Sequence, residues 1–170
     1  KFGNFITKLP VNKMPSLILD RTDINKWGWT KYSNAWVSSN KPPTIWVYDR
    51  EDMIVHGIDE FFKPYDYNGL KVDGFKIYYI RDYTNVNTVV ADDVGILGRP
   101  RKGAVIATIN TGDKLANGKI SGSRGVFFGI ANTELWTEDT KQIFDKSIRW
   151  LIDGNDKDGD GYSVEEGDCN

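Results

Sequence analysis

Short apolar runs, separated by polar stretches that contain glycine and proline, make up the chain as far as its last helix. Runs of this length bounded by turn residues predict buried strands. The predicted strands are residues 14–20, 44–49, 75–80, 94–98, 103–110 and 125–131. Among them, 125–131 (GVFFGIA) is the most apolar run. In residues 103–110, apolar and polar positions alternate less than in an edge strand. This pattern favours a central position in a sheet.

One segment has helical rather than strand periodicity. In residues 137–152, Ile143, Phe144, Ile148 and Leu151 recur at helical spacing and form one apolar face, which Trp150 borders. Thr137 is the predicted N-cap, and the acidic residues that follow it suit a helix N-terminus. Gly154 is the predicted C-terminal stop.

The connections differ in character. Residues 21–43 and 50–74 predict long irregular segments, each with at most one helical turn, and the polar, glycine-rich residues 111–124 predict a hairpin loop or an exposed connection. The succession of strands ending in a helix fits an α/β or α+β sheet. Asp20 and Asp49 each follow the end of a predicted strand. In α/β folds, ligands bind in a crevice at the carboxyl ends of the strands. The alternative is that both residues cap turns.

The charge is distributed unevenly along the 170 residues. Net charge is −2, but residues 151–170 hold seven acidic residues and one basic residue, so this tail carries −6 and the rest of the chain +4. The body is too weakly basic, and its Lys and Arg too scattered, for a nucleic-acid-binding surface. No run of eighteen apolar residues occurs, so no membrane span is predicted.

The acidic tail has the pattern of a calcium-binding loop. Asp156, Asp158 and Asp160 alternate along it, and Gly161 permits the sharp turn that would let them converge on one cation. Calcium takes six to eight oxygen ligands, and Tyr162 would contribute its backbone carbonyl. Zinc is disfavoured because the chain has one Cys and one His, and magnesium because it seldom uses an all-protein cage.

The sequence leaves open which residue closes the calcium site and whether the tail binds a cation at all. Glu166 follows Asp156 by ten residues, one short of the EF-hand spacing, so Glu165, Glu166 and Asp168 are all candidates to close the site. The alternative to a calcium site is a solvated acidic tail. In that alternative the closely spaced carboxylates would repel one another without a cation.

The tail, DKDGDGYSVEEGDCN, resembles thrombospondin type 3 calcium repeats and similar repeats of prokaryotic surface proteins. The resemblance implies calcium ligands at Asp156, Asp158, Asp160, Glu166 and Asp168. It also implies that Cys169 pairs with a cysteine of a following repeat. We therefore divide the chain into a body, residues 1–152, and a truncated calcium-binding repeat, residues 153–170.

The body resembles the C-terminal part of class I glutamine amidotransferase-like domains, through its strands and the helical segment TEDTKQIFDKSIRWL (137–151). The resemblance implies a flavodoxin-like, three-layer α/β sandwich with a mostly parallel sheet, whose N-terminal βαβ portion residues 1–13 are too short to supply. Enzymes of that superfamily pair a Cys nucleophile with a His base.

Catalytic residues are not predicted for this chain. Cys169 is in the tail, and His56 is in a charged loop where an exposed, structural role is the usual one. Ser121 and Ser123 have no neighbouring base that the sequence indicates. The acidic pairs Glu51–Asp52 and Asp92–Asp93 are of a kind that turns carry routinely. We therefore expect no enzyme activity.

These observations predict a non-enzymatic extracellular or cell-surface module, structural or adhesive, stabilised by Ca²⁺. Its expected partners are other copies or domains of a surface layer or filament, and we expect the chain to be a piece of a longer protein. The alternative is a carbohydrate-binding domain or a degenerate amidotransferase-like enzyme domain. In that alternative, Trp27, Trp29 and Trp36 would form a platform for glycans, unless they are buried in the core.

Overall fold

The structure is a computed structural model. It describes residues 8–22, 24–31, 35–39, 42–66, 74–81, 85–91 and 103–153. The strands are β1 (Ser16–Ile18), β2 (Ala35–Ser39), β3 (Ile45–Val47), β4 (Phe61–Phe62), β5 (Phe75–Tyr79), β6 (Asn87–Ala91), β7 (Ala104–Ile109) and β8 (Gly125–Phe128). The helix α1 spans Glu138–Asp153, and short 3₁₀ turns lie at Met53–Val55 and Thr133–Leu135.

Six strands form one mixed sheet in the order β1-β8-β7-β6-β3-β4, while β2 and β5 form a separate antiparallel pair. Only β1 and β8 run parallel; the other pairs of the six-stranded sheet are antiparallel. The prediction of a flavodoxin-like sandwich with a mostly parallel sheet is therefore wrong. β7 and β8 are joined by a hairpin, which requires antiparallel neighbours, whereas a parallel sheet needs a crossover helix between strands.

Two apolar clusters cover the two faces of the sheet. On one face, α1 packs with the 3₁₀ turn at Met53–Val55 over a core that includes Val126, Phe128 and Ile143. On the other face, the irregular segment that contains Ile24 and Trp29 covers Ala107, Ile109 and Phe127. All six residues of β7 are buried, so its central position is confirmed.

The predicted helix is confirmed, and its N-terminus is capped as expected. The Thr137 carbonyl accepts a hydrogen bond from Lys141 N at 3.0 Å, and Thr137 Oγ1 accepts one from Thr140 N at 3.4 Å. The apolar face holds a cluster of three rings, because the centroids of Phe128, Trp136 and Phe144 lie 5.0–5.3 Å apart. This cluster fixes α1 against β8.

The pair β2–β5 adjoins the end of the large sheet at which β8 finishes and β7 begins. Tyr78 N donates to the Gly129 carbonyl at 2.7 Å, and Ile80 and Ala104 exchange backbone hydrogen bonds. Three strands were not predicted: β2 and β4 lie in segments expected to be irregular, and β6 lies between two predicted strands. The predicted strand at 94–98 and the Gly154 stop lie outside the described residues.

Candidate functional site

The predicted calcium ligands cannot be placed in the fold. Asp156, Asp158, Asp160, Tyr162, Glu166 and Asp168 lie outside the described residues, as do Glu165, Cys169 and the Asp92–Asp93 pair. Within the part of the chain that the structure does describe, no three His, Cys, Asp or Glu side chains gather closely enough to hold a metal ion. The calcium site therefore stays a prediction from sequence.

The two strand-final aspartates do not share a crevice. β1 and β3 point in opposite directions through the sheet, so Asp20 and Asp49 lie at opposite ends of it. Each caps a turn: Asp20 Oδ1 accepts hydrogen bonds from Thr22 N and Thr22 Oγ1, and Asp49 Oδ1 accepts one from Glu51 N at 3.2 Å. The turn-capping interpretation is confirmed for both.

The tryptophan platform is not available as predicted. Trp29 is 1% exposed, and its Nε1 donates to Asn12 Oδ1 at 2.9 Å. Trp27 is half-buried against the same core, and the side chain of Trp36 is outside the described part of the structure. Trp29 is thus a core residue and cannot stack on a glycan.

The remaining candidate residues have structural surroundings. His56 is exposed, and its backbone carbonyl accepts a hydrogen bond from Lys146 Nζ. Ser121 is buried, and its hydroxyl donates to the Ser123 carbonyl at 2.7 Å. Asp52 Oδ1 accepts a hydrogen bond from Ile54 N and so caps the 3₁₀ turn.

Asp52 has a perturbed environment. Burial raises the pKa of Asp52 above its ordinary value, and the nearby charge of Asp49 raises it further, while the hydrogen bond from Ile54 N opposes both. Because the folded protein then holds this proton more tightly than the unfolded chain does, ionisation of Asp52 reduces stability as pH rises above 3.8.

A concavity in the described part of the chain lies at the end of the sheet where β3 and β7 finish and β6 and β8 begin. Two adjoining depressions of about 550 and 450 Å³ share Val86 and Asn87, and together we call them the groove. One end is lined by Tyr48, Asp49 and Thr88. The other end is lined by Lys31 and by residues of the β7–β8 hairpin: Asp113, Lys114, Leu115, Ala116 and Gly118.

An aromatic side chain is held in place at the first end of the groove. Tyr48 is 38% exposed, and its ring and the Trp46 ring pack edge to face with centroids 5.1 Å apart. The backbone here is pinned as well, because Tyr48 N and Asp49 N both donate to the Val89 carbonyl, at 2.9 and 3.2 Å. A ring whose position is set by its neighbours loses little conformational freedom on binding.

A β-bulge shapes the floor of the groove. The register of β6 against β7 shifts between Thr88 and Val90, so Val89 is an extra residue in β6. Bulges re-aim side chains and are frequent beside binding sites. This strand was not predicted from the sequence, although the β-branched run Thr88–Val90 is typical of one.

Thr88 at this bulge is unusual. It is 8% exposed, and Thr88 Oγ1 is the single buried side-chain nitrogen or oxygen atom, among the described residues, without a hydrogen-bond partner. A buried hydroxyl left unpaired costs about 1–3 kcal/mol.

The isosteric change Thr88→Val should therefore leave stability unchanged or raise it, by up to about 1 kcal/mol, because it removes an unpaired hydroxyl and favours the strand. The matched control is Thr140→Val. Thr140 Oγ1 donates to the Pro64 carbonyl at 2.9 Å, so its removal should cost about 1–3 kcal/mol. Urea unfolding of the three proteins measures both effects. Equal destabilisation by the two changes would show that the Thr88 hydroxyl is paired after all.

Within the described residues, no helix combines the length and the apolar character needed to cross a membrane. Comparison of the chain with protein-family models, with curated proteins and with solved structures finds no match.

Proposed function

We propose that the chain is a non-enzymatic module of an extracellular or cell-surface protein, with a structural or adhesive role, and that calcium stabilises its C-terminal exit. The observation that carries the proposal is the alternation of Asp156, Asp158 and Asp160 before Gly161. Such a set of hard oxygen ligands suits Ca²⁺ at the concentrations found outside cells.

The position of the acidic tail supports this role. Helix α1 ends at Asp153, three residues before Asp156. Its last turns pack against the body, since Trp150 and Leu151 are each 6% exposed. The Arg124 guanidinium also lies 5.7 Å from the centre of the Trp150 ring. A metal loop attached to a fastened helix would set the direction in which the chain leaves the body, which a module joined to other copies or domains of a surface layer or filament requires.

Calcium binding is tested directly by isothermal titration after chelator treatment. We expect at least one site with a dissociation constant of roughly micromolar to millimolar, the range of sensors and extracellular modules. The double change Asp158→Ala plus Asp160→Ala should abolish the signal. Absence of binding heat in the native chain, or an unchanged titration in the double variant, would contradict the proposal.

A second candidate, carbohydrate binding, is favoured by one observation on the body. The groove presents a fixed, exposed Tyr48 ring beside amide and carboxylate side chains, which is the mixture of stacking surface and hydrogen-bonding groups that a sugar needs. This site replaces the Trp27, Trp29 and Trp36 platform expected from sequence.

A further inference from the structure

We propose that the groove binds a neutral oligosaccharide, with the Tyr48 ring as its stacking surface and Asp49, Asn87 and Thr88 as its polar contacts. The inference deepens the adhesive part of the proposed function by naming a ligand class and a site. It rests on that part alone, since every described residue that lines the groove belongs to the body, residues 1–152.

The charges of the groove favour a neutral ligand. Among the described residues of the lining, Lys31 and Lys114 are basic and Asp49 and Asp113 are acidic, so the two signs balance. A balanced lining provides no net attraction for a phosphate backbone, which needs several uncompensated Lys or Arg contacts. A ligand rich in hydroxyl groups, by contrast, can donate to the carboxylates and accept from the ammonium groups.

The architecture of the groove disfavours an extended peptide. Peptides that add to a sheet pair their backbone with an exposed strand edge. The groove is instead built at strand ends: Tyr48 and Asp49 follow β3, and Val86 and Asn87 lie at the start of β6. The hydrogen-bonding edges of these two strands are already occupied, because β3 pairs with β4 and β6, and β6 pairs with β3 and β7.

The unpaired hydroxyl is a second, independent observation that indicates a polar ligand. Thr88 lines the groove on the Tyr48 side, and its Oγ1 lacks the partner that nearly every buried hydroxyl has. The exposed Asn87 side chain beside it offers both a donor and an acceptor. Thr88 Oγ1 is closed to solvent, so a sugar hydroxyl would pair with it once rotation about χ1 turns that atom toward the groove.

The carboxylates are held in defined positions by the backbone. Asp113 Oδ2 accepts a hydrogen bond from Asn110 N at 2.7 Å, and Ser121 N donates to the Asp113 carbonyl. Asp49 is fixed similarly, because its own N donates to the Val89 carbonyl while Oδ1 accepts from Glu51 N. Each carboxylate has a second oxygen with remaining capacity to accept from a ligand hydroxyl.

The test is a titration of the full chain with neutral hexasaccharides of glucose, mannose, galactose and N-acetylglucosamine, followed by tryptophan fluorescence and by calorimetry. Trp46 contacts Tyr48, so its emission should change when the groove is occupied. We expect at least one neutral oligosaccharide to bind, and a hexamer of galacturonate and a mixed-sequence peptide to bind more weakly. No response to any neutral sugar at millimolar concentration, or stronger binding of the galacturonate or the peptide, would overturn the proposal.

Three variants locate the site. Tyr48→Ala should weaken binding about tenfold or more, whereas Tyr48→Phe, which keeps the ring, should retain most of the affinity. Leu19→Ala is the control, because Leu19 is a 46% exposed apolar residue that does not line the groove, and this variant should bind like the native chain. Equal losses in Tyr48→Ala and Leu19→Ala would overturn the assignment of the groove.

Further variants, together with a chelator, distinguish sugar binding in the groove from calcium binding by the tail. Thr88→Val should weaken sugar binding at least several-fold without loss of stability. Sugar binding should persist in chelator and in Asp158→Ala plus Asp160→Ala, and calcium binding should persist in Tyr48→Ala. Full affinity in Thr88→Val would remove Thr88 from the proposed contacts, and sugar binding that vanished in chelator would place the ligand on the tail instead.

Discussion

Replacing Gly129 by alanine is expected to destabilise the protein by at least about 3 kcal/mol, the upper part of the range for overpacked sites. A Cβ at this position would lie 2.1 Å from the Tyr78 carbonyl oxygen and 2.8 Å from the Val105 carbonyl oxygen. Both obstacles are backbone atoms, so a change of side-chain rotamer cannot relieve the clash. One strand would have to move.

The movement would break the junction between the two sheets. Gly129 N donates to the Val105 carbonyl at 2.8 Å, and the Gly129 carbonyl accepts from Tyr78 N at 2.7 Å, so this residue connects β7 and β5. Because β5 pairs with β2, separation here would leave buried backbone groups of both sheets without partners. The loss should appear as a lower urea midpoint and reduced yield of folded protein.

Gly57→Ala is the control for this prediction. Gly57 has φ +80°, and no heavy atom beyond its two chain neighbours lies within 4 Å of the added Cβ, so the cost there is conformational, about 1–2 kcal/mol. If Gly129→Ala were no more destabilising than Gly57→Ala, the close contact between the sheets would be wrong.

Local patterns in the sequence predicted single elements well and their arrangement poorly. The helix from Glu138 and the buried strand at Gly125–Phe128 depend on periodicity and apolar runs within a few residues of each other, and both are confirmed. Strand direction depends on distant contacts. The mostly parallel sheet was expected from the resemblance to a flavodoxin-like sandwich, in which helices cover both faces of the sheet. In the structure, an irregular segment containing Trp29 covers the second face instead.

The groove could not be predicted for the same reason. Its two ends come from segments far apart in the chain, Tyr48–Asp49 and the 113–118 hairpin, and β6 brings them together. β6 itself was missed because Asn87 and Thr88 begin it and a bulge interrupts its alternation. The side chains that line the groove have no distinctive spacing in the sequence, unlike the aspartates of the tail. The sequence therefore indicated a cation site, whereas the structure was needed to find the groove.

Saturating calcium should raise the unfolding free energy of the native chain by up to about 2.7 kcal/mol when the free ion is at a hundredfold excess over its dissociation constant. For a chain of 170 residues this corresponds to roughly 5–11 °C in melting temperature. The gain requires that the folded body and the metal loop be coupled. If the unfolded chain bound calcium equally well, the melting temperature would not change.

The coupling is expected to pass through the end of α1. Trp150 and Leu151 hold the last turns of the helix on the body, and Asp156 follows its final residue, Asp153, by three positions. Repulsion among the carboxylates of the tail opposes a compact loop when no cation is present, and calcium removes that repulsion. Calcium should therefore both stabilise the helix end and protect the residues after Gly154 from proteolysis.

The measurement compares thermal unfolding and protease cleavage of the tail in calcium, in magnesium and in chelator. Asp158→Ala plus Asp160→Ala should remove both effects of calcium. Asp145→Ala, which removes a carboxylate of the same charge from an exposed position on α1, should retain them. Protection from cleavage without a rise in melting temperature would mean that the loop binds calcium but does not brace the helix. A loop held by several oxygen ligands cannot enter a protease site as readily as a free one. Equal cleavage after Gly154 in calcium and in chelator would therefore refute the proposal that calcium orders the residues that follow α1.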